Sequence, residues 1–278
     1  ISLIDHNKEA MVNILDCLSS WIRLNVITLE MIRATPVIDL CFSSLNDPEL
    51  LDVCVDIICE VILKSCEAPR NDALVQILIS KLLPLSETLQ ISLDDPDKVR
   101  GLCRIFVEAG EGYMDLILSN LSFFQCILSS ILICATYDEL EICKITFNVW
   151  YLLAEQITNN KYDLNFRQQF VPIYQQLISV IIKHLEYPSD LSEWKSQDRD
   201  DFKDFRYVMG DVLKDCVRVL GEEALNTPCS LLKSFFPENN GQHVHSNLSV
   251  SWQKIEAPLF SLRAMCSQLS LQEHKYIP

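Results

Sequence analysis

Glycine is scarce in this chain, with 6 residues among 278. Sheet-rich folds need chain-reversing residues every eight to twelve positions, so the scarcity argues against them. The six glycines contain no G-x-G-x-x-G, no G-x-x-x-x-G-K and no G-x-S-x-G, and the nearest pair, Gly110 and Gly112, falls inside a helical pattern. Nothing is therefore available to cradle a phosphate or to present a nucleophile on a strained elbow. The twelve cysteines include no C-x-x-C pair, and most, such as Cys54, Cys59 and Cys66 or Cys126, Cys134 and Cys143, sit in apolar runs. They read as buried reduced thiols in a reducing compartment. The nearest metal-like group, His243 and His245 with Cys229, lacks a second thiol and lies in polar sequence, so neither metal nor cofactor is expected. His6, His184 and His274 are scattered, and no nucleophile and base can be paired by spacing. The sequence does not read as an enzyme.

Long apolar runs are also missing. The longest, Leu121 to Ala135, is interrupted by Gln125, Ser129 and Ser130 and is short of the ~20 residues of a membrane span, so it reads as a core helix and no membrane contact is expected. Basic residues are the minority, 23 Lys plus Arg against 38 Asp plus Glu, for a formal charge of -15. Direct binding of nucleic acid is disfavoured, because a phosphate backbone calls for a basic stripe. A basic protein partner and plain solubility both account for the acidity.

What the chain has in abundance is helical periodicity. Phe202, Phe205, Met209, Val212, Cys216 and Val219 are spaced by threes and fours, and so are Leu140, Cys143, Phe147, Trp150 and Ala154. Leu50, Cys54, Ile57 and Val61 are joined by Leu51, Val55, Ile58 and Ile62, so that helix is apolar around most of its circumference and must be covered on two sides. Thr35-Pro36, Asp47-Pro48, Asp95-Pro96 and Thr227-Pro228 read as helix starts, and Thr136 with Glu139 has capping-box spacing. These marks predict helices over 7–23, 35–45, 48–66, 72–91, 96–118, 121–135, 138–158, 164–186, 198–221, 224–236 and 251–270. Residues 187–197 and 237–247 read as loops between repeats. Taken in pairs, the helices recur every ~40 to 60 residues, near the HEAT or armadillo period. The fold class is all-α, a HEAT-repeat superhelical solenoid of helical hairpins. Residues 1–278 form one continuous array of about five and a half repeats, and the unpaired last helix and the start at Ile1 suggest a piece of a longer solenoid.

Two acidic groups have a bland and a functional reading. Asp52, Asp56 and Glu60 form an i, i+4 ladder of like charge on the polar strip of an apolar helix, relieved in sequence by Lys64. It is a solvated strip or a face for a positive partner. Asp198, Asp200, Asp201 and Asp204 open the helix that carries Phe202, where carboxylates favour the macrodipole, but four in seven residues exceed what capping needs. Trp21, Trp150, Phe147 and Tyr151 fall mostly on apolar faces and read as core, not as a stacking platform for bases.

The runs Asn13 to Val26, Cys103 to Glu108, Leu132 to Glu155, Asp200 to Asp215 and Trp252 to Phe260 resemble, in this order, the importin-beta (karyopherin-beta) family of nuclear transport receptors, transportin-SR type. The resemblance covers nearly the whole chain and is specific in its order more than in any one motif. It implies nuclear import: SR-type or other mRNA-binding, basic RNA-binding protein cargo is bound in the cytoplasm, carried past Phe-Gly nucleoporins, and released when Ran GTPase, loaded with GTP, binds in the nucleus. The receptor would shuttle between cytoplasm and nucleus. Such receptors bind RanGTP chiefly through their first repeats and grip cargo with a later Arg-rich helix, of which this sequence holds no counterpart. Phe202 and Phe205 match a family segment and read as core. Asp200, Asp201, Asp204 and Arg206 match the same segment and are expected to be exposed and partner-binding, beside Asp52, Asp56 and Glu60. The alternative is a HEAT-repeat scaffold for another protein complex, such as a phosphatase or a membrane-traffic adaptor.

Overall fold

A computed structural model describes residues 8–67, 70–159, 162–236, 250–269 and Tyr276. Among the described residues every regular element is helical. The chain forms two compact units, residues 1–149 and 150–278.

The first unit holds α1 (Lys8–Arg23), α2 (Leu29–Arg33), α3 (Val37–Ser44), α4 (Leu51–Cys66), α5 (Asp72–Ile91), α6 (Pro96–Gly112), α7 (Met114–Ser119), α8 (Leu121–Ala135) and α9 (Leu140–Ile145). In one layer α1 packs on α4, α4 on α6 and α6 on α9; in the other, α5 packs on α8. Helix α4 lies between α1 and α6 and also meets α3 and α5. Val53, Cys54, Val55, Ile57, Ile58, Val61 and Ile62 are consequently all buried, which is the two-sided cover its apolar circumference requires. Helix α5, with 20 residues, is long and apolar enough to cross a membrane by length and composition, which the reading of 121–135 as the longest apolar stretch missed. It contains Pro84 and buries Leu74, Leu78, Leu82, Leu85 and Leu89 against its neighbours.

Helix α10 (Phe147–Thr158) carries the boundary between the units. The second unit continues with α11 (Leu164–Gln168), α12 (Val171–Leu185), α13 (Ser196–Leu220), a 3-10 turn (Gly221–Leu225), α14 (Asn226–Phe235) and α15 (Trp252–Cys266). Helix α13 packs beside α15, and α12 touches α13, α14 and α15. Gly221 leaves α13 at a φ of 60°, a conformation open to glycine without strain. Trp150 is fully buried, and Tyr174 donates its hydroxyl to the Trp150 carbonyl at 2.8 Å.

Several helix boundaries differ from expectation. The span 138–158 breaks at Thr146, 96–118 at Tyr113 and 164–186 after Gln168, while α2 has no counterpart in the periodic reading. Asp95 caps as expected, accepting from Lys98 N at 3.2 Å, and Asp47 accepts from Glu49 N at 3.1 Å. Thr35 and Thr136 do not cap forward. Their hydroxyls donate back to Ile32 O and Ile133 O, because each still belongs to the end of the preceding helix. Thr227 lies inside α14, after a 3-10 turn that has already reversed the chain. Asn71 and Asp163 are caps that sequence reading passed over. The expected loop at 237–247 lies outside the described residues, as do His243 and His245.

Candidate protein-binding faces

Helix α13 buries Phe202, Phe205, Met209, Val212, Leu213 and Cys216, and this stripe turns the opposite side of the helix outward. Asp200, Asp201 and Asp204 are all exposed there. Asp198 accepts from Lys195 N at 3.1 Å and so serves the helix start. Asp201 accepts from Gln197 Nε2 at 2.7 Å, and Asp200 lies 3.9 Å from Lys203 Nζ. Asp204 has no hydrogen bond or ion pair among the described residues. Three carboxylates thus stand in solvent beyond the one that capping uses.

Arg206, expected on the same surface, is not there: it is 2% exposed. Its guanidinium is sandwiched between the rings of Tyr187 and Phe260, 4.2 and 4.4 Å from their centroids, and Nη2 donates to both carboxylate oxygens of Glu256 at 2.7 Å. Cation–π stacking and the carboxylate offset the loss of hydration, so the charge can lie inside. Phe202 and Trp252 flank Tyr187 at 5.3 and 5.6 Å, and Trp194 meets Phe202 edge-on at 5.4 Å. This side chain joins α13 to α15 and cannot meet a partner. Its only sequence signal is its place one residue after Phe205, next to the apolar stripe.

On α4 the like-charge ladder is relieved from neighbouring helices, not from Lys64. Arg104 of α6 donates to Asp56 at 2.6 Å and Arg23 of α1 to Glu60 at 2.6 Å, while Lys64 pairs with Glu67 at 3.0 Å. Asp52 is exposed. Nearby on α6, burial first, and then the carboxylates of Glu111 and Glu60, hold the Glu108 carboxyl above its ordinary range. A second such acid is Asp215, raised mainly by burial although Arg218 donates to it at 3.1 Å.

All twelve cysteines are free thiols. Burial pushes those of Cys59 and Cys143 up to about 12, so they stay protonated and serve as packing groups. Among the described residues no group of three or more His, Cys, Asp or Glu could hold a metal.

Within each unit, helices packed on one another over an apolar interior mark the fold as an all-α HEAT-repeat solenoid, a class that binds other proteins along extended surfaces. A solved structure described as "Importin13 cytosolic state" superposes with a TM-score of 0.78 at 20% identity, covering 96% of this chain and 34% of that one, and shows the same fold. The family model for the Transportin-3/Importin-13 second TPR domain matches residues 94–184, and the Exportin 1-like protein model matches residues 2–58. The "mRNA transport regulator MTR10" of Saccharomyces cerevisiae is 35% identical over 99% of this chain and 29% of its own length. Importin-13 of Homo sapiens is 27% identical over 95% of this chain and 28% of its own, and Transportin MOS14 of Arabidopsis thaliana 27% identical over 98% and 30%. The chain belongs to the importin-beta family, whose relatives matched here are nuclear transport receptors and not enzymes. It spans under a third of the length of these curated relatives.

Proposed function

We propose that this chain is part of a nuclear import receptor that takes up SR-type or other mRNA-binding protein cargo in the cytoplasm and releases it to RanGTP in the nucleus. The observation that carries this reading is the similarity, along 99% of the chain, to a protein named as an mRNA transport regulator. The formal charge of -15 and the exposed Asp200, Asp201 and Asp204 suit basic cargo. The two units are read as consecutive stretches of one repeat array that passes the pore by contacts with Phe-Gly nucleoporins and shuttles between the compartments. RanGTP and cargo would favour different states of that array, so that binding one weakens the other by the same factor.

The test uses the full-length receptor immobilised with an SR-type cargo. Excess RanGTP is expected to elute the cargo; retention in RanGTP refutes the import reading. Converting Asp200, Asp201 and Asp204 together to Lys is expected to weaken cargo or Ran binding with helical circular dichroism unchanged. Unaltered affinity would make these carboxylates a solvated face only. Reversing Asp56 and Glu60 is a poorer probe, because each already has an arginine partner.

A further inference from the structure

Helices α13 and α15 run in the same direction, since Arg206 meets Glu256 while Gly210, further along, meets Phe260 and Ala264. Beyond the sealed Arg206 sandwich a surface groove of about 410 Å³ opens between them. Gly210, Phe260 and Ala264 line it beside the exposed Tyr207, and its charged lining residues are Asp211, Lys214 and Arg263.

Gly210 is the informative residue. A Cβ at Gly101, Gly110 or Gly112 would come within 3.0 Å of Val55, 2.8 Å of Ile131 or 2.6 Å of Cys66, so neighbouring side chains crowd those positions inside the first unit. At Gly210 the nearest atoms to such a Cβ would be Ala264 at 3.6 Å and Phe260 at 3.8 Å, which is ordinary contact. Alanine would fit and would favour the helix. The fold does not require glycine here, in the middle of a 25-residue helix, where Gly210 is buried at the base of the groove.

Free negative charge lies along α13 toward one end of the groove, outside the lining itself. Asp200, Asp204, Tyr207 and Asp211 follow one another by four, three and four residues and form one stripe. Asp211 is matched by Lys214 at 2.7 Å, so the uncompensated negative charge gathers at the Arg206 end, around Asp204. Tyr207 and Val208 beside it are 55% and 46% exposed. Within the lining, Arg263 is exposed and has no ion pair among the described residues.

We propose that this groove docks a short peptide segment of a partner protein, with an aliphatic side chain on Gly210, Phe260 and Ala264 and basic residues toward Asp200 and Asp204. Arg263, in the lining itself, faces a neutral or acidic part of the segment. This rests on the partner-facing reading of the α13 carboxylates and adds an apolar anchor to it.

The test is fluorescence anisotropy on the full-length protein with a labelled peptide of three lysines, two leucines and a neutral tail. The peptide is expected to bind, and versions with Leu replaced by Gln or Lys by Glu to bind at least about tenfold more weakly. Tyr207→Ser, at an exposed wall that cannot unfold the helix, is expected to cost about tenfold. Gly210→Ala is expected to cost about threefold or more by filling the floor, while raising the melting temperature. Equal binding of the Gln version, or indifference to both variants, overturns the groove. Loss on Asp200→Lys with Asp204→Lys but indifference to Tyr207→Ser and Gly210→Ala overturns it too, yet leaves the acidic-face reading standing. Self-association that Gly210→Ala abolishes would assign the groove to a second copy and likewise overturn the proposal.

Discussion

Removing the Glu256 carboxylate should cost more than removing the arginine it holds. Arg206 has a side chain 3% exposed, and Glu256 is its one carboxylate partner among the described residues; Glu256 itself is 36% exposed. With Glu256→Ala the guanidinium keeps its charge, loses its counter-ion and cannot reach water. Breaking a buried pair in this way costs about 3 kcal/mol, the lower end of the usual range because Glu256 is partly solvated. With Arg206→Met the carboxylate turns to solvent, and the thioether fills the space between Tyr187 and Phe260, for a cost of about 1 kcal/mol. The double variant should approach the Arg206→Met value, because no stranded charge remains. Hydrogen exchange of the α15 amides is the suitable assay, since a chain with two compact units need not unfold in one step. The gap of about 2 kcal/mol between the single variants corresponds to roughly thirtyfold in local opening. Equal protection in the two single variants, or additive losses in the double, would refute the account of Arg206 as a buried charge neutralised by one carboxylate.

Gly110→Ala should lower stability by about 1–3 kcal/mol, read as a fall in melting temperature, because its Cβ would lie 2.8 Å from Ile131 and 3.3 Å from Val149. Tyr174→Phe should cost about 1 kcal/mol in denaturant titration by removing the buried hydrogen bond to the Trp150 carbonyl. Glu108 is held above the usual carboxylate range, so the folded state binds its proton more tightly than the unfolded chain. The stability from that proton is complete below the unfolded pKa and is lost as pH rises through the folded one. Glu108→Gln should therefore raise the melting temperature at about pH 7, with the gain shrinking as pH falls below the ordinary Glu pKa of about 4.3. A gain independent of pH would contradict burial as the cause.

Local pattern carried much of the architecture. Apolar spacing located most of the long helices, the circumference of α4 announced cover on two sides, and Asp95 marked a helix start that the backbone uses. These features depend on residues within one or two turns of each other, so they are present in the chain before it folds. Thr136 and Thr227 show where that rule stops: a hydroxyl at a helix junction can serve either neighbour, and the packing of both helices decides which.

Pairing across helices was decided by the tertiary structure alone. In sequence Arg206 is one more charge beside Asp204, and nothing local points to Glu256, fifty positions away, as its partner. Asp56 and Glu60 read as a bare ladder until Arg104 and Arg23, 48 and 37 positions distant, are folded against them. Gly210 reads like the other helical glycines until the space beside it is measured. Periodicity determines which side of a helix is apolar; which charge is neutralised, and which glycine leaves room for something else, depends on the helix that packs next to it.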